Sequence, residues 1–200
     1  DTLGLLDREV ALYRALRQHL RGITFVTYGD ARDTSYGDLL DGIDITCNRW
    51  MLPQQFYTHL LRTICPLRWK GCTILKSNQV QGADVALSVA HRFGKKFIAR
   101  SGYLYSFIME RRYGVKSNQA ERARALEHSV FAAADRVVVT TFGMRDAIIR
   151  NYQVSAKHVF VIPNYVEIDV FHPISDHMRS PRRICFVGRL SEEKNLLVCR

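Results

Sequence analysis

The chain has 200 residues, 47% of them hydrophobic and 24% charged. It is long and apolar enough to bury a sizeable core, which excludes an intrinsically disordered chain. Its formal net charge is +10, from 29 Lys and Arg against 19 Asp and Glu, a balance that favours anionic partners such as nucleic acid, anionic lipid or phosphorylated ligands.

Residues 5–20 come first. Leu6, Val10, Tyr13, Leu16 and Leu20 recur at three- and four-residue spacing and predict an amphipathic helix. Gly22 ends it, and the apolar run at 23–28 reads as a buried strand closed by Gly29 and Asp30. Strand and helix then alternate: a strand over 43–47, a helix over 54–65 stopped by Pro66, a strand over 72–76, a helix over 83–93 ended by Gly94, and a strand over 96–100. A longer helix spans 118–134, with Asn118 and Glu121 at capping-box spacing. A valine-rich strand at 136–140, a helix at 143–152, a strand at 158–162 and a last strand at 183–187 follow.

Strands separated by helices predict an α/β fold, with a Rossmann-like parallel sheet flanked by helices on both faces. The residues before about 169 are expected to form one such sheet, which the strand at 183–187 does not join. Residues 169–183 contain Pro173, Pro181, His172 and His177 without an apolar period and read as a linker. The expected organisation is a first domain over 1–168, a linker over 169–182 and the start of a second domain over 183–200. Asp1 and the apolar pattern that stops at Arg200 both read as cuts in a longer protein.

Five cysteines, Cys47, Cys65, Cys72, Cys185 and Cys199, form no CxxC pair. Cys47, Cys72 and Cys185 lie in apolar or strand-like runs, where thiols act as small buried hydrophobes. The expectation is a reducing, cytoplasmic setting without structural zinc. No apolar run reaches the length of a membrane span and no signal peptide is visible in these residues.

In a parallel sheet ligands bind at the carboxyl ends of the strands. That rule singles out Lys76, Ser77, Asn78 and Gln79; Arg100, Ser101 and Gly102; Thr140 and Thr141; and Gly188 and Arg189. At the last of these an apolar strand delivers Gly188, then Arg189, then Lys194 five residues on. Glycine permits close backbone approach, and the two cations together suit a diphosphate. Bare spacing favours two solvated cations over a site, because single basic residues after strands are common. The stretch 56–70 mixes Phe56, Leu60, Leu61 and Ile64 with Arg62, Arg68, Trp69 and Lys70, a composition that suits contact with anionic lipid. A core-packed helix with solvated arginines is the preferred reading there.

VGRL at 187–190 with EKN at 193–195 resembles the signature that opens the donor domain of family GT4 retaining glycosyltransferases. VIPNYVE at 161–167, followed by FHP at 171–173, resembles that family's interdomain segment, with Tyr165 in place of the usual glycine and Glu167 in place of aspartate. ADRVV at 134–138 resembles, more loosely, the strand before the last helix of its acceptor domain. The resemblance implies a GT-B fold, of which this chain is the N-terminal domain without its first strand and glycine loop, plus the start of a second Rossmann-like domain. It implies sugar transfer from a nucleotide-sugar donor to a hydroxyl acceptor with retention, by a whole enzyme of which these residues alone are inactive. It implies no cofactor beyond that co-substrate and no essential metal.

By position, Gly188, Arg189 and Lys194 would contact the donor diphosphate. The histidine usual after the acceptor-domain strand is absent, and Arg100, Ser101, Gly102 and Tyr103 stand there as the acceptor-side cleft. A growing cell-surface polysaccharide or a lipid-linked glycan is the implied acceptor, with peripheral contact to the inner face of an anionic membrane. Two alternatives stay open: a nucleic-acid-binding module, prompted by charge but opposed by the aliphatic strands, and a nucleotide-sugar epimerase of the same fold. Nucleic acid is not an expected partner.

Overall fold

The structure is a computed structural model that describes residues 5–63, 71–166, 168, 172–173, 180, 182–183 and 185–188. The chain divides into two compact units, Asp1–Tyr165 and Val166–Arg200.

The first unit is α/β and Rossmann-like. In chain order it runs α1 (Leu5–Leu16), β1 (Thr24–Val26), α2 (Gly37–Leu40), β2 (Asp44–Thr46), α3 (Gln54–Thr63), β3 (Ile74–Lys76), α4 (Ala83–Arg92), β4 (Lys96–Ser101), α5 (Tyr105–Tyr113), α6 (Asn118–Ala133), β5 (Arg136–Val139), α7 (Phe142–Tyr152) and β6 (Val159–Val161). A 3₁₀ turn, Arg17–His19, extends α1, and another, Ala31–Tyr36, precedes α2.

All ladders are parallel. β1 pairs with β2, and β3, β4, β5 and β6 form a four-stranded sheet in that order. The single sheet expected from sequence is therefore two sheets among the described residues. No ladder joins the two sheets among the described residues; Lys76 of β3 instead reaches α1, where its Nζ donates to the Tyr13 hydroxyl at 2.7 Å and stands 5.2 Å from the centre of that ring.

Period-two burial explains the main core. Phe97 and Ala99 of β4, Val137 and Val139 of β5 and Val159 of β6 point to one face. There they meet Ala83 and Ala90 of α4, Val130 and Phe131 of α6, and Ile148 and Tyr152 of α7. A second cluster joins Val10 of α1 to Leu40 and Ile43, with Leu6, Tyr13 and Phe25 packed against it. The apolar stripe read from 5–20 is thus a packing face over its first half. Beyond Leu16 the α-helix gives way to the 3₁₀ turn, and Leu20 is exposed.

Helix ends follow local hydrogen bonding. α6 starts at Asn118, as expected, but its cap is Ser117 rather than Asn118: the Ser117 hydroxyl accepts from Ala120 N at 3.2 Å. Thr141 does the same for α7 through Met144 N at 3.2 Å. On α3, Tyr57 and Leu61 are buried against Val85, and Arg62 pairs with Asp84 of α4 at 2.7 Å. The described part of 56–70 is a core-packed helix; Arg68, Trp69 and Lys70 lie outside the described residues.

In the second unit, where a strand was expected over 183–187, the described residues 183 and 185–187 carry no ladder; 184 is outside the described residues. A strand needs a neighbour to satisfy its backbone, and that unit offers none among the described residues. Without the alternation of a sheet, Val187 is 91% exposed and Cys185 is exposed rather than buried, whereas Cys47 is buried and Cys72 half-buried. Among the described residues no helix is long and apolar enough to cross a membrane.

Asp135 clips β4 to β5 at their amino ends. Its carboxylate accepts from Lys96 Nζ at 2.7 Å and from Phe97 N at 2.9 Å, and its own N–H donates to Phe97 O at 3.0 Å. Lys96 first, then the Phe97 amide, holds the carboxyl below the ordinary aspartate value of 3.8. A depressed folded-state value gives stability that is present above the unfolded value and is lost as pH falls through the folded one. Asp135→Asn should therefore flatten the acid limb of a stability-against-pH curve while lowering stability at neutral pH by at most about 1 kcal/mol, because the pair is largely solvated. Thermal melts of both proteins across the acid range check this.

Candidate functional site at the strand ends

Parallel register brings the carboxyl ends of β3, β4 and β5 to one edge. Lys76 stands opposite Ile98, Arg100 opposite Val138 and Ser101 opposite Val139. The segments that leave these strands are tied together by hydrogen bonds. Ser77 Oγ accepts from Arg100 N at 3.2 Å. Arg100 Nη1 donates to both the carbonyl and the side-chain oxygen of Asn78, each at 3.2 Å. Gly102 N donates to Gln79 Oε1 at 2.9 Å, and the Tyr103 hydroxyl donates to Gln81 Oε1 at 3.3 Å. The Thr140 hydroxyl lies 3.3 Å from Gly102 O, which joins the third strand to the set.

The four residues expected on the acceptor side take different positions. Arg100 is half-buried, and its guanidinium is oriented by Asn78. Ser101 is fully buried, and its hydroxyl donates to Tyr103 O, so it shapes the turn rather than facing outward. Gly102 has no room to spare, since a Cβ there would come within 3.1 Å of the Gln79 amide nitrogen. Tyr103 is exposed. The rim thus offers one held guanidinium, the Tyr103 phenol, the Lys76 ammonium and the amides of Gln79 and Gln81, a surface of donors suited to a hydroxyl-rich or anionic ligand.

Gly188 lies in a bend of the second unit, where an added Cβ would meet the Phe186 ring at 3.0 Å. Arg189 and Lys194 lie outside the described residues. Among the described residues no three His, Cys, Asp or Glu side chains gather to hold a metal ion. A broad open depression along α3, lined by Pro53, Gln54, Gln55, Thr58, His59 and Arg62, shares no residue with the rim.

Sequence reading missed Glu127. It is fully buried on α6, in line with Ala120, Ala123, Val130 and Phe131. Its carboxylate accepts from Ser106 N at 3.1 Å and from the Tyr152 hydroxyl. Ser106 is in the first turn of α5, where unpaired N–H groups and the helix dipole favour an anion. Glu127 therefore anchors the start of α5, three residues after Tyr103, and so holds the outgoing end of the rim. Burial, then the bond to Glu127, raises the Tyr152 phenol and keeps it protonated.

Compared with known proteins, the sequence matches no protein-family model and no curated protein.

Glu127→Ala should cost about 2–3 kcal/mol, since it strands two buried donors. Glu127→Gln, which keeps an acceptor oxygen, should cost less. Tyr152→Phe, which leaves the buried carboxylate with one donor fewer, should cost about 1–3 kcal/mol. Urea unfolding at neutral pH measures all three; a Glu127→Ala loss below about 0.5 kcal/mol would mark an ordinary solvated surface position instead.

Proposed function

We propose that the chain supplies the acceptor side, and the entry to the donor side, of a retaining glycosyltransferase of the GT-B kind. The observation that carries this reading is the donor-rich rim at the ends of β3, β4 and β5, with the Arg100 guanidinium hydrogen-bonded to Asn78. The two GT4-like signatures at 161–167 and 187–195 follow that rim in the order such an enzyme needs. The parallel α/β architecture is compatible with the reading and is shared by many other activities.

In the proposed reaction the bond between the anomeric carbon and the donor diphosphate breaks. The nucleotide leaves with the bonding pair, a new bond forms from that carbon to an acceptor oxygen on the same face, and the hydroxyl proton passes to an oxygen of the departing diphosphate. Arg189 and Lys194 stabilise the charge that develops on the departing diphosphate, Arg189 through a forked donor and Lys194 as a point charge. Gly188 lets the backbone approach that group. Arg100, Gly102 and Tyr103 meet the acceptor, a polysaccharide or lipid-linked glycan, and Ser101 fixes the turn that presents them. No essential metal is invoked, and the reaction belongs on the cytoplasmic side, where nucleotide sugars and reduced thiols coexist.

In the full-length enzyme, Arg189→Ala and Lys194→Ala should each lower kcat roughly a hundredfold, the equivalent of about 2–4 kcal/mol of transition-state stabilisation. Arg189→Lys should recover only part of this, because a fork is replaced by a point charge. Steady-state kinetics, with circular dichroism as the folding control, measure the effect; near-normal kcat in both alanine variants would overturn the donor-site assignment. Arg100→Ala should raise KM for the acceptor at least about fivefold while leaving KM for the donor unchanged, as expected when one charge-assisted hydrogen bond is lost. An equal change in both constants would remove Arg100 from the acceptor side.

A further inference from the structure

We propose that the outer face of α5, with the turn that follows it, is a docking surface for an anionic lipid bilayer. The inference does not depend on the sugar-transfer reading.

α5 packs on α6 through Ser106, which is buried, and through Glu110, whose carboxylate is tied to Arg124. At 100° per residue the opposite face carries Ile108, Arg111 and Arg112, with the exposed Phe107 on its flank. Phe107 is 63% exposed and Ile108 41%. Each has an arginine one turn on, at i+4: Phe107 above Arg111, Ile108 above Arg112. The next residues prolong the surface. Tyr113 is 48% exposed and Val115 63%, and Lys116 is exposed beside them.

These side chains project from an ordered base. Arg124 Nη2 donates to Val115 O at 2.9 Å, and the Ser117 hydroxyl donates to Gly114 O at 2.7 Å. Gly114, at φ +92°, makes the turn. The apolar groups are therefore presented outward by construction, not by fraying of a helix end.

Charge selects the occupant. Arg111, Arg112 and Lys116 form no ion pair with a carboxylate among the described residues, and the acid nearest in sequence, Glu110, is neutralised by Arg124. Arg112 instead lies 5.5 Å from the centre of the Tyr113 ring. Large apolar and aromatic groups interleaved with unpaired cations suit the headgroup boundary of a bilayer, where rings enter the interface and cations meet lipid phosphates and carboxylates. A core-facing partner helix would leave those three charges buried and unpaired. The exposed Phe56 of α3 has no such setting, because the described arginine of that helix is paired with Asp84.

The test is flotation of the chain with vesicles of phosphatidylcholine alone and of phosphatidylcholine mixed with phosphatidylserine. Binding is expected to the mixed vesicles only, and to weaken as salt rises. Arg111→Ala and Arg112→Ala should each lower partitioning about fivefold. Phe107→Ser with Ile108→Ser should lower it more than about tenfold through lost apolar burial. All these side chains are solvent-facing, so circular dichroism should remain unchanged. Phe56→Ser on α3 is the comparison and should bind as the wild type does. Absence of binding to mixed vesicles, or loss of binding in Phe56→Ser with none in the α5 variants, overturns the proposal. So does binding to single-stranded RNA with no binding to vesicles.

Discussion

Parallel pairing is the constraint on which the rest of the first unit depends. Two parallel strands cannot be joined by a tight turn, so each return must cross the sheet through a helix. In the four-stranded sheet the strands lie in sequence order, and α4, α6 and α7 share one core with the inward residues of β4, β5 and β6. All the carboxyl ends then fall on the same edge. Side chains far apart in the chain become neighbours there: Ser77 with Arg100, Gln79 with Gly102, Thr140 with Gly102. The rim is a product of strand direction, and its hydrogen bonds fix loops that strand direction has only gathered.

Much of this was legible in the residues. The alternation of short β-branched runs with periodic apolar segments located β3 to β6 and α3, α4, α6 and α7 to within a few residues, because each of those helices turns an apolar stripe to a core. α5 escaped for the opposite reason. Its sequence, Tyr-Ser-Phe-Ile-Met-Glu-Arg-Arg-Tyr, has large apolar groups on the side away from α6, so no helical period stands out against a polar background. The cap of α6 was misplaced by one residue, since Ser117 and Asn118 are both competent caps and only the backbone extended at Ser117 decides between them. The ladder expected between the first two strands and the remaining four is not formed among the described residues, a distinction no composition reveals.

The candidate site was legible in outline only. The strand-end rule named Arg100 through Gly102 and Thr140, yet nothing in the sequence says that the Ser101 hydroxyl turns inward to Tyr103 O. Glu127 carried a signal that was available: it shares the stripe of Ala120, Ala123, Val130 and Phe131, and a glutamate in a buried stripe must find donors. Its partners, Ser106 and Tyr152, lie 21 and 25 residues away, and only the packing of α5 and α7 on α6 brings them within reach.

β6 has one further consequence. It pairs with β5 and with no other strand among the described residues, so one row of its backbone groups faces outward. Such an edge is a template for strand addition from another molecule. Here the exposed run is three residues long, preceded by a 3₁₀ turn that ends in Lys157 and His158 and followed, after the last ladder bond from Ile162 N to Val139 O, by Pro163. Proline has no N–H to extend the ladder. Replacing Pro163 with a β-branched residue would lengthen the available edge, and the first symptom would be loss of colloidal stability rather than loss of fold.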